Sequence, residues 1–450
     1  MHILIIGGSD AGISAALRAR ELDVSAEITV VLADAYPNYS ICGLPFYLSG
    51  ETRDWHALAH RTEFPGIDVR RNHVAHAIDP SVRVVEVESD GRRESLRYDR
   101  LIIATGAVPI RPSIAGLELS GAFPLHTMED SFRVQAFVTE RGVRTAVVVG
   151  AGYIGIEMAD ALTHRGIGVT LVSRTPSVLP TFDVELGRLL EEELRARGVH
   201  VVTGAEVSVI RKAAGQLVMR GNGFEASAEL VIVATGVEPS TALARAARVA
   251  TGVRGALAVD RRMETNVRDV YAAGDCGETW HRVLERNAYL PLGTTAHKQG
   301  RVAGENVLGG SRQFAGSVGT QVVKVFDLAA ARTGLRDDEA RTAGFDPVTV
   351  ESGVYDHKQY YPRAHELRIR VTGDRATRRL LGAQIVGYWR SEVAKRIDVF
   401  AAALFHKMRV EELNDFDLSY TPPTGSPWDA VQMAAQAWET SAGSLTDTRV

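Results

Sequence analysis

The sequence predicts an α/β fold made of two parallel-sheet units, followed by a C-terminal α+β unit. Two apolar runs each lead into a glycine-rich turn and then a helical segment, within residues 3–18 and 147–159. After about residue 319 the pattern changes, because strand-like runs there bracket helices instead of alternating with them. A chain of 450 residues is too long for one ordinary core, so two or three domains are expected.

The composition is typical of a soluble globular protein, with 45% hydrophobic and 24% charged residues. A formal net charge of −4 gives no reason to expect nucleic acid or an anionic membrane as a partner. Apolar runs are short and the first residues lack the basic start of an export signal, so we expect a cytoplasmic protein without membrane spans. The two cysteines lie far apart and suit neither a disulfide framework nor a zinc site, so no metal is predicted.

The first glycine-rich turn carries most of a dinucleotide-binding fingerprint. Gly7 and Gly12 occupy its first and third glycine positions, and Ser9 replaces the middle one. A small residue there still lets a pyrophosphate approach. The following strand, residues 28–32, ends without the acid that would hold a ribose, so Asp34 is the candidate for that role. Alone, this half-fingerprint is equally compatible with an ordinary strand–turn–helix unit.

The second turn carries the complete fingerprint. Gly150, Gly152 and Gly155 follow an apolar strand and precede a helix, which is the context that the motif requires. The next strand of this unit ends in Ser173 and Arg174 instead of an acid. Such residues suit a 2′-phosphate better than a ribose hydroxyl, which favours NADPH over NADH. The alternative is an Arg that is simply exposed on a loop.

Two further strands end in the same Ala-Thr-Gly turn. Thr105 and Gly106 belong to the first copy, and Gly236 belongs to the second. A later apolar strand ends at Gly274 and Asp275. The repeated turns support two related units built around the two fingerprints.

Cys42 is the candidate nucleophile. It follows the first fingerprint unit, and Pro45 suits the first turn of a helix that would begin close to it. A helix start favours a thiolate, which is the reactive form of the side chain. The alternative is a small buried residue, and this plainer interpretation is favoured for Cys276.

In this order, the segments resemble the flavin-dependent pyridine nucleotide–disulfide oxidoreductases over about residues 1–438. The resemblance implies two Rossmann-like domains, for FAD and NAD(P), and a C-terminal α+β dimerisation domain. The implied boundaries are 1–112 and 237–319 for the FAD-binding domain, 113–236 for the NAD(P)-binding domain, 320–439 for the dimerisation domain, and 440–450 for a flexible tail.

The resemblance also implies the cofactor contacts. The first glycine turn would face the FAD pyrophosphate, Asp275 would bind the ribityl chain, and the second glycine turn would take the pyrophosphate of NAD(P)H. The implied cofactor-binding residues are Gly7, Ser9, Gly12, Asp34, Thr105, Gly106, Gly150, Gly152, Gly155, Ser173, Arg174, Gly236, Gly274 and Asp275.

The cysteine pattern indicates one branch of this family. Glutathione-reductase-like members have a second Cys five positions after the first, and here that position is Tyr47. Cys42 therefore resembles the single cysteine of coenzyme A disulfide reductases, persulfide reductases, NADH oxidases and NADH peroxidases. Such a Cys cycles between a thiolate and a mixed disulfide or a sulfenic acid.

Two tyrosines favour the coenzyme A disulfide reductase side of this branch. Tyr361 and Tyr420 resemble that group's tyrosine motifs, which approach Cys42 from the partner subunit; the alternative for each is interface packing. The oxidases and peroxidases usually have a His where this chain has Asp10. The coenzyme A reductases commonly have an Asn where it has Ile41.

The expected activity is electron transfer from NADPH, with NADH possible, through FAD to Cys42 and on to a small disulfide or persulfide. One alternative is an NAD(P)H oxidase that reduces dioxygen, and another is an electron-transfer reductase that feeds a ferredoxin or oxygenase. The resemblance implies a homodimer. Arg18, Arg20, Arg70 and Arg71 are candidates to attract acceptor phosphates, or are simply solvated charges.

Overall fold

The computed structural model describes residues 1–444, which are organised around three five-stranded sheets. The first sheet is wholly parallel, and its central strand leads into the first glycine turn. Helices Asp10–Leu22 and Gly293–Asn306 pack against each other beside it. In spatial order its strands are Val270–Ala272, Arg100–Ile103, His2–Ile6, Glu27–Val31 and Asp68–Arg70.

The second sheet repeats this plan. All its neighbouring strands are parallel, and its central strand leads into the second glycine turn. Its strands are Ala122–Pro124, Leu230–Val233, Thr145–Val149, Gly168–Val172 and His200–Val202. The helices of this unit are Met128–Arg141, Tyr153–His164 and Val184–Ala196.

Each unit also contains a three-stranded antiparallel sheet that the sequence patterns did not predict. The first has strands Val74–Asp79, Val84–Ser89 and Arg92–Arg97, and the second has strands Val207–Ala213, Gln216–Gly221 and Phe224–Ala228. The remaining short elements are strands Thr279–His281 and Arg286–Ala288, helices Leu44–Ser49 and Ala242–Ala246, and 3-10 turns Ile41–Gly43, Trp55–Leu58, Val253–Gly255 and Glu411–Asp415.

The two Ala-Thr-Gly turns meet where the chain passes between the units. The strands that follow them, Ala107–Pro109 and Val237–Pro239, pair in antiparallel orientation. The Thr105 hydroxyl donates to the carbonyl of Ser240 at 2.6 Å. In the second copy, the Thr235 hydroxyl donates to the carbonyl of Ile110 at 3.0 Å. The repeated motif therefore ties the two crossing segments together.

The third sheet is antiparallel and forms the C-terminal unit. Its strands are Gln321–Val325, Leu328–Gly334, Leu380–Tyr388, Glu366–Asp374 and Pro347–Tyr355, and its helices are Asp337–Thr342, Val393–Phe405 and Ala430–Ser444. Two parallel sheets and one antiparallel sheet, each with its own helices, confirm the predicted fold class. No helix within residues 1–444 is long and apolar enough to cross a membrane.

The last helix corrects part of the predicted flexible tail. Trp438 is fully buried, and its indole N–H donates to the carbonyl of Val348 at 2.8 Å. This anchor keeps the chain helical to Ser444, so residues 440–444 are not a loose tail. Residues 445–450 lie outside the described residues.

Candidate active site

The first glycine turn is shaped by close backbone packing. Gly7 has a φ of 113°, and a Cβ on it would lie 2.0 Å from the carbonyl oxygen of Ala104. A Cβ on Gly12 would lie 1.9 Å from the carbonyl oxygen of Gly7. Ser9 precedes the helix and its hydroxyl caps no backbone N–H there. The helix N-terminus therefore keeps N–H donors for an anion such as a pyrophosphate.

The second turn has the same geometry. Gly150 has a φ of 106°, and a Cβ on Gly155 would lie 1.8 Å from the carbonyl oxygen of Gly150. A Cβ on Gly152, in contrast, would meet nothing within 4 Å. The middle position is thus open to an approaching ligand, as a dinucleotide site requires.

Ser173 and Arg174 lie at the end of the neighbouring strand. Ser173 is buried, and its hydroxyl lies 2.7 Å from the hydroxyl of Thr175, so it orders the turn. Arg174 is exposed beside it. Within residues 1–444 its guanidinium makes no hydrogen bond or ion pair, so it is available to an anion.

Cys42 lies in the 3-10 turn that leads directly into helix Leu44–Ser49. It is exposed, whereas Cys276 is fully buried and its thiol donates to the carbonyls of Ile103 and Ala273 at 3.5 and 3.4 Å. Cys42 is therefore the one thiol that the described chain presents at its surface. These contacts agree with the interpretation of Cys276 as a small buried residue.

The surroundings of Cys42 oppose the thiolate that a helix start was expected to favour. Neighbouring atoms partly exclude water from the thiol, and this desolvation raises its pKa. The negative charges of Glu157, Asp10 and Asp275 raise the pKa further. A helix of six residues offers too little dipole to offset three carboxylates. The position where a second cysteine would lie is Tyr47, whose ring packs edge-on against Phe132.

Tyr361 and Tyr420 lie in the C-terminal unit and are 43% and 42% exposed. The Tyr361 ring packs against His357, with centroids 5.8 Å apart, and the Tyr420 hydroxyl contacts the phenol of Tyr360. The structure thus brings the two tyrosine motifs together on one surface. The approach of these two tyrosines to the partner subunit's Cys42 remains a prediction.

Comparison with known proteins decides the family. Residues 1–300 match the family model described as pyridine nucleotide-disulphide oxidoreductase, and residues 320–430 match the dimerisation domain of the same family. The chain belongs to this family. The predicted resemblance is confirmed, and the protein is an FAD-dependent NAD(P)H oxidoreductase.

Three known proteins illustrate the similarity. The NAD(P)H coenzyme A polysulfide/persulfide reductase of Pyrococcus horikoshii is 34% identical over 439 residues, covering 96% of this chain and 97% of the relative. The structure of an NAD-dependent persulfide reductase from A. fulgidus matches with a TM-score of 0.95 and 38% identity, over 99% of this chain and 84% of that chain. An engineered water-forming NADPH oxidase, derived from the Lactobacillus brevis NADH oxidase, matches with a TM-score of 0.94 and 25% identity, over 99% of this chain and 100% of that chain.

The two acids proposed to contact FAD differ in their surroundings. Asp34 accepts the backbone N–H of Tyr36 at 2.8 Å, and burial raises the pKa of its carboxyl. Burial, followed by the charge of Asp10, raises the pKa of Asp275 to about 6, although the backbone N–H of Leu292 donates to it. Asp275 in this oxidoreductase is therefore a half-buried acid with spare capacity to pair with hydroxyl groups.

Three of the four arginines considered for acceptor phosphates are engaged within the protein. Arg18 pairs with Glu305 at 2.6 Å, Arg70 pairs with Asp68 at 2.7 Å, and Arg20 donates to backbone carbonyls. These three side chains are therefore held by contacts within the protein, so they fit neither a free phosphate-binding charge nor a simply solvated one.

The sequence patterns did not predict a cluster of three polar side chains near the first glycine turn. The hydroxyl of Ser14 lies 2.8 Å from Nδ1 of His297, and Nε2 of that ring lies 3.4 Å from the Asp10 carboxylate. Helix packing joins these residues across some 280 positions, and the only signal in the sequence was the unusual Asp10. Within residues 1–444 no group of three His, Cys, Asp or Glu side chains is arranged to hold a metal.

Glu157, on the helix after the second fingerprint, is a second missed residue. Burial, followed by the charge of Asp160, raises its pKa to about 7. An acidic motif position two residues beyond the last glycine was the signal that could have identified it.

The raised pKa of Glu157 predicts how the free energy of unfolding depends on pH. Between pH 4.5 and about 7 the unfolded chain releases the Glu157 proton while the folded protein keeps it, so stability falls as pH rises and levels off above pH 7. The contribution of Glu157 to the free energy of unfolding should fall by a few kcal/mol across this window. Glu157→Gln should therefore gain stability relative to wild type as pH rises. Melting temperatures of both proteins from pH 5 to 8 test it, with the exposed Glu140→Gln as control; a difference that is constant with pH would contradict it.

Proposed function

We propose that this oxidoreductase passes electrons from NAD(P)H, with NADPH preferred, through FAD to Cys42 and on to a small disulfide or persulfide. One observation carries the proposal: the single exposed thiol lies in a turn flanked by both nucleotide-binding units, without a second sulfur. Leu44 and Leu48, on the helix that follows Cys42, share a core with Met128 and Ile156 of the second unit. The relative that acts on coenzyme A polysulfide or persulfide supports the acceptor class.

The cofactor-binding residues proposed from the sequence fit the geometry of the two turns. When bound there, FAD supplies two-electron transfer between a nicotinamide and sulfur. Gly7, Ser9 and Gly12 would hold its pyrophosphate, and Asp275 would bind hydroxyl groups of its ribityl chain. Gly150, Gly152 and Gly155 would hold the pyrophosphate of NAD(P)H. The remaining proposed contacts are Asp34, Thr105, Gly106, Ser173, Arg174, Gly236 and Gly274.

Cys42 would act by thiol–disulfide exchange. Its deprotonated sulfur attacks one sulfur of the acceptor, the acceptor S–S bond breaks, and a mixed disulfide forms while one thiolate departs. The partner subunit's Tyr361 or the partner subunit's Tyr420 would donate a proton to that thiolate. Breaking the mixed disulfide, which releases the second thiol and regenerates Cys42, takes two electrons that FAD would supply when bound. Because the pKa of Cys42 is raised, a base must first take its proton, and exchange should accelerate as pH rises.

The experiment that tests this function counts thiols in denatured protein, before and after reduction by NADPH and removal of small molecules. The chain has two cysteines, so a resting Cys42 adduct gives one thiol before reduction and two after. Mass spectrometry of the unreduced protein identifies the adduct. Two free thiols throughout, with turnover only on ferredoxin-like carriers, would instead support the electron-transfer alternative.

Reduction of dioxygen is the second candidate, and the structural match to a water-forming oxidase favours it. Against it stands Asp10, which occupies the position in the first glycine turn where the oxidases and peroxidases usually have a His. Oxygen consumption with NADPH, measured beside disulfide reduction, separates the two activities.

A homodimer with shared active sites is expected, because the exposed tyrosines act on Cys42 only when another copy delivers them. Sedimentation should show a dimer at assay concentrations. Coexpression of Cys42→Ser chains with Tyr361→Phe/Tyr420→Phe chains should give disulfide turnover well above that of either homodimer, since mixed dimers contain one intact site. A fully active monomer would contradict the prediction.

A further inference from the structure

The two tyrosine motifs lie on separate loops of the C-terminal unit. Residues 356–365 connect two strands of the third sheet and carry Tyr361. Residues 416–429 precede the final helix and carry Tyr420. Loops of this length need fixed contacts if both phenols are to keep one arrangement.

Arg396, on helix Val393–Phe405, contacts both loops with one guanidinium. Its side chain is buried, with 6% of the residue exposed. It donates to the carbonyl of Asp356 at 2.7 Å in the first loop. It also reaches the carbonyl of Thr424 at 3.5 Å and the carboxylate of Asp429 at 3.1 Å in the second loop. A planar fork of five N–H donors can satisfy such a divergent set, whereas an ammonium group cannot.

Asp356 extends this contact to Tyr361. Its carboxylate is buried and accepts the hydroxyl of Ser391 at 2.5 Å and the backbone N–H of His365 at 3.0 Å. It also lies 2.8 Å from Nδ1 of His357, whose ring packs against the ring of Tyr361. A continuous chain of contacts therefore runs from the guanidinium to the phenol.

We propose that Arg396 is a positioning residue that holds the Tyr361 and Tyr420 loops as one unit for delivery to the acceptor site. The proposal rests on the proposed function for the role of the tyrosines, and on the contacts above for the coupling of the loops. Arg396 touches neither cofactor turn, so its effect is confined to the half-reaction that involves the acceptor.

The kinetic test uses Arg396→Lys in the flavin-loaded dimer. Reduction of the flavin by NADPH should match wild type, while kcat with a disulfide or persulfide falls at least tenfold, which corresponds to about 1.4 kcal/mol. In a Tyr361→Phe/Tyr420→Phe background the same change should have little further effect, because Arg396 acts through the phenols. Arg341→Lys, at an exposed ion pair of the same unit, is the matched control. Additive losses, or an equal loss of flavin reduction, would overturn the proposal.

A second measurement does not depend on the acceptor. Hydrogen exchange, followed by mass spectrometry, should show faster exchange in both 356–365 and 416–429 for Arg396→Lys, and in neither for Arg341→Lys. Faster exchange in one loop only, or throughout the C-terminal unit, would show that Arg396 does not join the two loops. If exchange responds as expected but wild type reduces no disulfide or persulfide, the coupling stands and the proposed function fails.

Discussion

Replacing Cys42 by serine should abolish turnover with disulfide and persulfide acceptors, lowering it by orders of magnitude. A serine hydroxyl cannot undergo thiol–disulfide exchange, so the acceptor finds no sulfur to react with. Bleaching of the flavin by NADPH should persist, because neither glycine turn is changed. Direct reaction with dioxygen should also survive. Anaerobic stopped-flow reduction and steady-state assays with each acceptor measure the three activities separately.

Cys276→Ser is the matched control for this change. Cys276 is fully buried and bonded to two backbone carbonyls, so its replacement should alter stability and leave acceptor turnover in place. A folded, flavin-loaded Cys42→Ser protein with full disulfide reductase activity would refute the redox role. The plain alternative, in which Cys42 only packs, expects a small stability loss and unchanged turnover with every acceptor.

The glycine turns could be predicted because local backbone geometry imposes them. Gly7 and Gly150 both need a positive φ and both pack against the carbonyl of the Ala residue in an Ala-Thr-Gly turn. That requirement leaves a short pattern in the sequence. The three-stranded antiparallel sheets leave a weaker pattern, since few residues of their strands are buried, as in Arg92–Arg97.

The electrostatics of the site could not be predicted in the same way. The groups that raise the pKa of Cys42 come from three distant segments, at Asp10, Glu157 and Asp275, and only the fold brings them together. Arg396 had no local signal either, because a buried arginine on a helix resembles an exposed one until its partners are known. Patterns near each residue thus indicate candidate groups, while the pKa values and positions of those groups depend on tertiary contacts.

The proposed preference for NADPH depends on Arg174. The hydroxyls of Ser173 and Thr175 hydrogen-bond to each other, and the Thr175 hydroxyl also contacts the carbonyl of Ser177. These bonds hold the turn without the Arg174 guanidinium, which is therefore free to meet a 2′-phosphate. The engineered NADPH oxidase has, among its substitutions, an aspartate replaced by alanine and newly introduced arginines and serine. The persulfide reductase from A. fulgidus is named as NAD-dependent, so relatives of this chain differ in this property.

Arg174→Glu should reverse or erase the preference for NADPH. A charge-assisted contact contributes roughly 1.5–3 kcal/mol, which corresponds to about ten- to a hundredfold in the ratio of kcat/KM values for NADPH and NADH. Glutamate removes this contact, repels the phosphate and offers a carboxylate to the ribose hydroxyls of NADH. Arg211→Glu, which makes the same charge change on an exposed strand of the second unit, should leave the ratio unchanged. If wild type uses NADH better than NADPH, or if both variants shift the ratio equally, the contact assigned to Ser173 and Arg174 is wrong and general electrostatics governs the choice.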